Sequence, residues 1–228
     1  MPPQPNAIGA RIGAELQRRS TAAEVADILR ALIFSGEIAS GEALREAQLA
    51  TSIGVSRQVV REALFRLEGD GLVERLPYKG TSVRTITADG VTDLFNVRMM
   101  VELTALDAVL TGPADDRERV VAAARAMAEV DPDAWPQVIE ADFRFHLALV
   151  EGLHSPRTTA FYRTLQGELR LCSAMTNQGQ QYTHADYSNS HSQIATAIAG
   201  RTKAKARDLL VKHLERARDD VLAALGEH

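Results

Sequence analysis

Residues 53–73 read IGVSRQVVREALFRLEGDGLV, and this stretch decides the fold of the first part of the chain. Gly54 predicts a tight turn, and Ser56 is a good N-cap for a helix that runs to about Asp70. On a helical wheel the apolar side chains of this helix cluster on one side, whereas Arg57 and Arg61 lie on the other. This division suits a helix that packs on one face and presents polar side chains to DNA with the other.

The flanking segments complete a winged helix-turn-helix. Apolar residues at helical spacing precede the turn, and alternating residues around a Pro- and Gly-containing turn follow it. The further elements expected are helices over 21–34 and 46–53 and strands over 72–76 and 81–86. Three helices and a β-hairpin wing are therefore predicted within residues 21–86, after a flexible leader over 1–20.

Beyond residue 86 the strand signals disappear and helical patterns repeat. Aromatic residues make up only 5% of the chain, which favours helices packed by aliphatic side chains over a sheet-rich core. Glycine and proline punctuate six predicted helices, over 89–110, 115–130, 134–153, 156–176, 185–199 and 202–225. The fold class expected is mainly α, with the winged helix-turn-helix followed by an all-helical bundle over 87–228.

The net charge of −4 is compatible with a nucleic-acid binder once it is divided along the chain. Residues 1–84 carry 11 Lys and Arg against 10 Asp and Glu, whereas the remaining residues carry 15 against 20. The acidic excess thus belongs to the second part, and a near-neutral first part binds DNA if its arginines share one face. The single cysteine, Cys172, excludes an internal disulfide. No apolar run approaches the roughly 20 residues of a membrane-spanning helix, so a cytoplasmic protein without a membrane partner is expected.

The first part of the chain resembles the GntR family of bacterial regulators. The matches within about 42–84 are the turn over 53–57, the segment over 61–73, Leu44, Leu49, Ala50 and the wing tip Lys79-Gly80. The resemblance implies that Arg57 and Arg61, with Gln58 beside them, contact double-stranded operator DNA. At the wing, it implies that Gly80 lets the tip approach the DNA and that Lys79 supplies charge there.

Two departures from the family pattern bear on the operator. Gln58-Val59 stands where a Thr-Pro pair is common, and Ala47 occupies a position that often carries a DNA-contacting arginine. A changed operator or weaker binding is the expected consequence. Because one short helix supplies too few base contacts for operator-level specificity, a homodimer on a pseudo-palindromic site is expected.

Four polar residues of the helical part form a candidate metal site. Asp142 and His146 are four residues apart on one predicted helix, so their side chains project to one side. His191 and His213 border the apolar stripes of two other helices. Three imidazoles and a carboxylate suit zinc, nickel, iron or manganese, with positions left for water or an anion. Each histidine alone is also consistent with a hydrogen-bonded core residue, but their joint placement in one domain favours a metal.

The same residues resemble the FCD effector domain, the C-terminal partner in the FadR-like branch of GntR regulators. The segments over 142–146, 191–194 and 212–214 resemble its three metal-bearing segments. The resemblance implies that the four residues ligate a metal and that a small carboxylic acid completes its coordination. Among divalent transition metals, we expect zinc before nickel, iron or manganese. Arg98 and Glu102 match another recurrent pair, which implies that Arg98 faces the effector's carboxylate, and a surface salt bridge is the alternative.

Two other functions are compatible with these residues. Histidines and a carboxylate also bind catalytic metals, so a metal-dependent enzyme with an accessory winged helix is one alternative. The other is a protein-interaction module in which the bundle only dimerises. Salt-sensitive binding to operator-length DNA, metal-dependent turnover, or neither separates the three.

Overall fold

The computed structural model describes residues 7–76, 78, 80–131, 133–178 and 184–226. It divides the chain into two compact units, Met1–Thr85 and Ile86–His228. The elements of the first unit are α1 (Ala7–Phe34), α2 (Glu46–Ile53), α3 (Arg57–Gly69), β1 (Val73–Leu76) and β2 (Gly80–Val83). The winged helix-turn-helix predicted from the sequence is confirmed.

The turn between α2 and α3 is built by two local residues. Gly54 has a φ of 79°, a left-handed conformation that glycine adopts without a Cβ penalty, and its N–H donates to the Ala50 carbonyl. Ser56 caps α3, since its side-chain oxygen accepts a hydrogen bond from the Val59 N–H at 3.3 Å. These contacts place the first turn of α3 at the surface of the unit while its apolar side packs on α1.

The wing is an antiparallel hairpin whose second strand, β2, is hydrogen-bonded on both of its sides. In the register of β1 and β2, Val73 lies opposite Val83 and Leu76 lies opposite Gly80. On the other side of β2, the Leu44 N–H donates to the Thr81 carbonyl at 2.8 Å, which ties the hairpin to the segment before α2. The second strand ends at Val83 rather than at residue 86, because Ile86 packs against the core of the second unit.

The first helix begins earlier than the sequence pattern predicted. We expected a start at Thr21, whereas α1 begins at Ala7. Residues 7–20 contain no proline, and their strong helix formers Ala, Leu, Arg, Gln and Glu outnumber the two glycines, so the helix extends through them. The leader expected over 1–20 therefore overlaps α1, and residues 1–6 lie outside the described part of the chain.

The second unit consists of helices in the part of the chain that the structure describes. They are α4 (Ala88–Thr111), α5 (Ala114–Ala128), α6 (Trp135–Glu151), α7 (Pro156–Gln178), α8 (His184–Ala199) and α9 (Lys203–Gly226). Each end lies within two residues of the predicted one. Helix α4 packs against α6 and α9, α5 packs against α6 and α8, and α8 packs against α9.

The core of this bundle is aliphatic but encloses charged and polar side chains. Fully buried members include Leu106, Val109, Leu149, Ile194, Ile198 and Leu210. Buried polar members are Arg98, Glu102, Asp116, Asp142, His146, Gln166 and His191. Because a buried polar group is costly without partners, these side chains need hydrogen bonds inside the bundle. Among the described residues, no helix combines the length and apolar character needed to cross a membrane.

Candidate nucleic-acid interface and metal centre

The first half of α3 presents a polar surface to solvent. Arg57, Gln58 and Arg61 are exposed, whereas Val60 and Leu64 on the opposite side of the helix are fully buried. The Ser56 cap fixes where the helix starts, and therefore which side chains occupy its first turn. The structure thus brings three of the predicted DNA-contacting residues to one outward surface.

Arg61 has a partner on the neighbouring helix that sequence reasoning did not identify. Its Nη2 lies 2.9 Å from Oε2 of Glu46, and its Nε lies 3.2 Å from both carboxylate oxygens. The hydrogen bonds from Arg61 lower the pKa of the Glu46 carboxyl. The Arg61 side chain nevertheless remains 54% exposed, so Glu46 orients the guanidinium between α2 and α3 without covering it.

The wing tip carries an exposed aromatic side chain. Tyr78 has a positive φ of 64° and is fully exposed, and Gly80 at the start of β2 has a φ of 85°. A glycine is favoured at this second position because an L side chain is strained there. Lys79, predicted to supply charge at the tip, lies outside the described residues.

The four residues predicted to bind a metal converge in the interior of the second unit. Asp142 and His146 come from α6, His191 from α8 and His213 from α9. Each offers a ligand atom, and all four atoms lie within 4.8 Å of one another. The Nε2 atom of His146 lies 3.2 Å from Nε2 of both His191 and His213. Oδ1 of Asp142 lies 3.0 Å from Nε2 of His191.

These separations suit a transition-metal ion. Metal–ligand bonds of about 2.0–2.1 Å that meet at angles between octahedral and tetrahedral place neighbouring donors about 2.8–3.4 Å apart. The Nε2 pairs of the cluster, at 3.2 Å, and the closest Asp142 contact, at 3.0 Å, both fall in this range. The distance of 3.7 Å between Nε2 of His146 and Oδ1 of Asp142 is wider, so the cluster could hold a metal ion once its side chains adjust.

Glu102 orients one histidine of the cluster from behind. Its Oε2 lies 2.7 Å from Nδ1 of His146, while its Oε1 accepts hydrogen bonds from Arg98 Nε at 2.7 Å and from the Tyr162 hydroxyl at 2.5 Å. A carboxylate on Nδ1 fixes the ring direction and leaves Nε2 for the cluster. Arg98 and Glu102 do form an ion pair, but it lies in the interior rather than at the surface.

The charges of this network follow from its burial and its neighbours. Burial alone would raise the pKa of Glu102, but attraction to His146 and Arg98 outweighs it and lowers the pKa to about 2. Burial and the neighbouring histidines lower the pKa of His213 well below its usual value. Near neutral pH, Glu102 is therefore an anion and His213 is neutral, the protonation state that a metal ligand requires.

A cavity of about 380 Å³ adjoins the cluster. Asp142 and His213 form part of its wall, together with Arg98. The apolar part of the wall includes Phe95, Phe143, Leu169, Leu209 and Val221. Nη2 of Arg98 is buried and has no hydrogen-bond partner among the described residues. A volume at the lower end of the range for ligand sites, with a buried cation in its wall, suits a small anionic molecule.

Sequence reasoning missed the partners that join different helices. Tyr162 was not singled out, and Glu102 was noted only for its spacing from Arg98. The bond between Tyr162 and Glu102 joins residues 60 positions apart, a separation for which helical periodicity carries no signal. His154, which lies outside the cluster, bonds to Asp116 at 2.8 Å.

Two family models match the two units of the chain. The model described as bacterial regulatory proteins, gntR family, matches residues 21–83, and the model of the FCD domain matches residues 93–216. The first range covers the helix-turn-helix and the wing. The second covers Arg98, Glu102 and Tyr162 and all four residues of the cluster predicted to bind a metal.

Curated relatives and solved structures agree with these matches. An uncharacterized HTH-type transcriptional regulator of Bacillus subtilis (strain 168) is 26% identical over 81% of this chain and 84% of its own length. The gluconate operon transcriptional repressor of Bacillus licheniformis is 28% identical over 90% of this chain and 85% of its own. The crystal structure of a GntR transcriptional regulator from Rhodococcus sp. RHA1 superposes with a TM-score of 0.71 at 30% identity, covering 90% of this chain and 99% of that one. Each of these relatives is described as a regulator of transcription.

Proposed function

The chain belongs to the GntR family of bacterial transcriptional regulators and carries an FCD domain, and from this premise we propose that a small carboxylate, bound at a metal site in the second unit, modulates its binding to operator DNA. The observation that carries this proposal is that Asp142 and His213 of the cluster line the same cavity as buried Arg98. A metal centre and an anion-binding cation that share one wall provide a site for a molecule with a carboxylate group.

For DNA, we assign base and phosphate contacts to Arg57, Gln58 and Arg61 on α3. Their exposure on one side of a capped helix supports this, since a recognition helix contacts DNA with its N-terminal residues. Lys79 and Gly80 are assigned to the wing contact. A homodimer would present two such helices to the two halves of a pseudo-palindromic operator. Because operator DNA is in the cytoplasm, we place the protein there.

For the metal, we assign Asp142, His146, His191 and His213 as ligands. Zinc is the first candidate, and nickel, iron and manganese also accept imidazole and carboxylate ligands. When bound, such an ion supplies a Lewis-acidic position for a carboxylate oxygen. The buried Glu102 contributes by holding His146 in the required direction.

For the effector, Arg98 is assigned to the carboxylate. Arg98 lines the cavity and its buried Nη2 is an N–H donor without a partner among the described residues, and a carboxylate oxygen is the acceptor that pairs with guanidinium most strongly. The Bacillus licheniformis relative is named for a gluconate operon, and gluconate is a carboxylate. To change DNA binding, the effector must bind one arrangement of the protein better than another.

Metal analysis of the purified chain tests the site directly. After loading with zinc and dialysis, we expect the wild type to retain about one zinc per chain, and His146→Ala and His213→Ala to retain little of it, because each loses an imidazole ligand. His154→Ala is the matched control, because this histidine lies outside the cluster and is bonded to Asp116. Circular dichroism reports whether the variants keep their helices. Zinc retention unchanged in both cluster variants would contradict the metal assignment.

A further inference from the structure

A second residue of the cavity wall carries a buried polar atom without a partner among the described residues. Besides Nη2 of Arg98, Oδ2 of Asp220 is buried and has no hydrogen-bond partner among the described residues. Both residues form part of the cavity wall. Arg98 lies on α4 and Asp220 on α9, so the two residues line the same cavity from different helices.

The two atoms need opposite kinds of hydrogen-bond partner from a molecule bound in the cavity. The Arg98 nitrogen is a donor and requires an acceptor, whereas the Asp220 carboxylate accepts and requires a donor. A buried polar group left without a hydrogen bond costs about 1–3 kcal/mol, so an occupant that satisfies both gains over one that satisfies a single atom. Burial raises the pKa of the Asp220 carboxyl, the direction expected for a carboxyl without a compensating donor.

The position of Asp220 along α9 sets the length of such an occupant. Asp220 follows His213 by seven residues, which is nearly two full turns, so both side chains point to the same side of the helix. The separation along the axis is about 10 Å, at roughly 1.5 Å per residue. A molecule anchored by its carboxylate near His213 and Arg98 therefore needs a short chain to reach Asp220.

We infer that Asp220 is a specificity-determining residue that selects monocarboxylic acids bearing a hydroxyl or ammonium donor over plain acids and over dicarboxylic acids. This inference rests on the carboxylate effector proposed above. A plain acid leaves the Asp220 oxygen without a hydrogen bond, and a dicarboxylic acid brings a second anion towards it. The donor group, by contrast, gives Asp220 the partner that the protein does not supply.

Two matched sets of acids on the zinc-loaded full-length chain test the inference. The four-carbon set is butanoate, 4-hydroxybutanoate, 4-aminobutanoate and succinate, and the six-carbon set is hexanoate, 6-hydroxyhexanoate, 6-aminohexanoate and adipate. Isothermal titration calorimetry gives a Kd for each. Within at least one set, we expect a donor-bearing acid to bind about tenfold more tightly than the plain acid and the dicarboxylic acid. The hydroxy and amino members identify which donor is preferred.

A pair of adjacent substitutions shows whether Asp220 causes the preference. Asp220→Asn keeps the shape but removes the negative charge and adds an amide donor, so the preference over the dicarboxylic acid is expected to fall to within about twofold. Asp219→Asn is the control, because Asp219 is exposed and pairs with Arg218. It is expected to leave the preference unchanged, and both variants should retain zinc.

The possible results distinguish failure of this inference from failure of the proposed function. Equal binding of all the acids in each set, or a preference that survives in Asp220→Asn, overturns the role of Asp220 and leaves the carboxylate effector standing. If none of the acids binds, with zinc or without it, both the role of Asp220 and the carboxylate effector are contradicted. Loss of the preference in Asp220→Asn alone supports the inference.

Discussion

Glu102 has more influence on the candidate site than its position away from the donor atoms indicates. One carboxylate joins Arg98, Tyr162 and His146, which come from three helices, and all of these side chains are buried. In such surroundings, the charge of Glu102 compensates the buried guanidinium and sets the direction of the imidazole. Glu102 is therefore a positioning residue that acts through His146 and Arg98.

Replacing Glu102 tests this role. In Glu102→Gln the side chain keeps its size but loses its charge, so we expect zinc affinity to fall roughly 10- to 100-fold, the usual cost of losing an outer-shell partner. Competition with a chelator of known zinc affinity measures the change. Tyr162→Phe removes one of the three bonds to Glu102 and should reduce the affinity less.

Glu118→Gln is the matched control for this substitution. Glu118 is an exposed carboxylate on α5 of the same unit, and its replacement should leave zinc affinity unchanged. If Glu102→Gln is fully folded by circular dichroism and binds zinc as tightly as the wild type, the positioning role is wrong.

The residues that could be found from the sequence are those whose signal is local. Asp142 and His146 share a helix face at a spacing of four, and His213 lies in an apolar stripe, so periodicity alone predicted their inward direction. Tyr162 and Asp220 gave no such signal. Their roles depend on which helix lies opposite, and that is set by packing across the whole bundle.

Among the helices, α3 carries the residues that we propose contact DNA. Arg57 lies in its first turn, where an arginine reaches a base edge or a phosphate. In Arg57→Ala we expect the affinity for operator DNA to fall at least about fivefold, which corresponds to the loss of a contact worth about 1 kcal/mol or more. Fluorescence anisotropy on a duplex selected from a random library with the wild-type protein measures this change.

Arg66→Ala is the control within the same helix. Arg66 is exposed on the last turns of α3 and pairs with Glu62, so its replacement removes the same charge from the far end of the helix. We expect its effect on operator affinity to be within about twofold, and zinc content to be unchanged in both variants. Wild-type affinity in Arg57→Ala and in Arg61→Ala would show that α3 is not the recognition helix.

The ends of helices could be predicted where a single residue stops or starts the helix by its own conformation or hydrogen bond. Gly54 and Ser56 stop and start helices through their own backbone and side-chain bonds, and the structure has both as expected. The predicted start of α1 was wrong because Thr21 is only a permitted cap, and the residues before it contain no proline that would stop the helix. A possible capping residue determines where a helix begins only when the residues before it disfavour a helix.

At the scale of the whole molecule, the chain joins a DNA-binding unit to a unit with a candidate effector site. The family matches assign the two units separately, and the sequence predicted both from motifs confined to each. How one unit influences the other could not be predicted, because that coupling is a difference in free energy between arrangements of the protein. It is therefore the step that experiment has to establish.

The most direct measurement is operator affinity with and without effector. Zinc-loaded protein is titrated into a labelled operator duplex at fixed salt, alone and with a saturating amount of the tightest-binding acid of the two sets above. We predict a change in Kd of at least about fivefold, the lower end of usual allosteric coupling, and loss of that change in Arg98→Leu, which cannot bind the carboxylate. Identical Kd values with and without the acid would contradict the account.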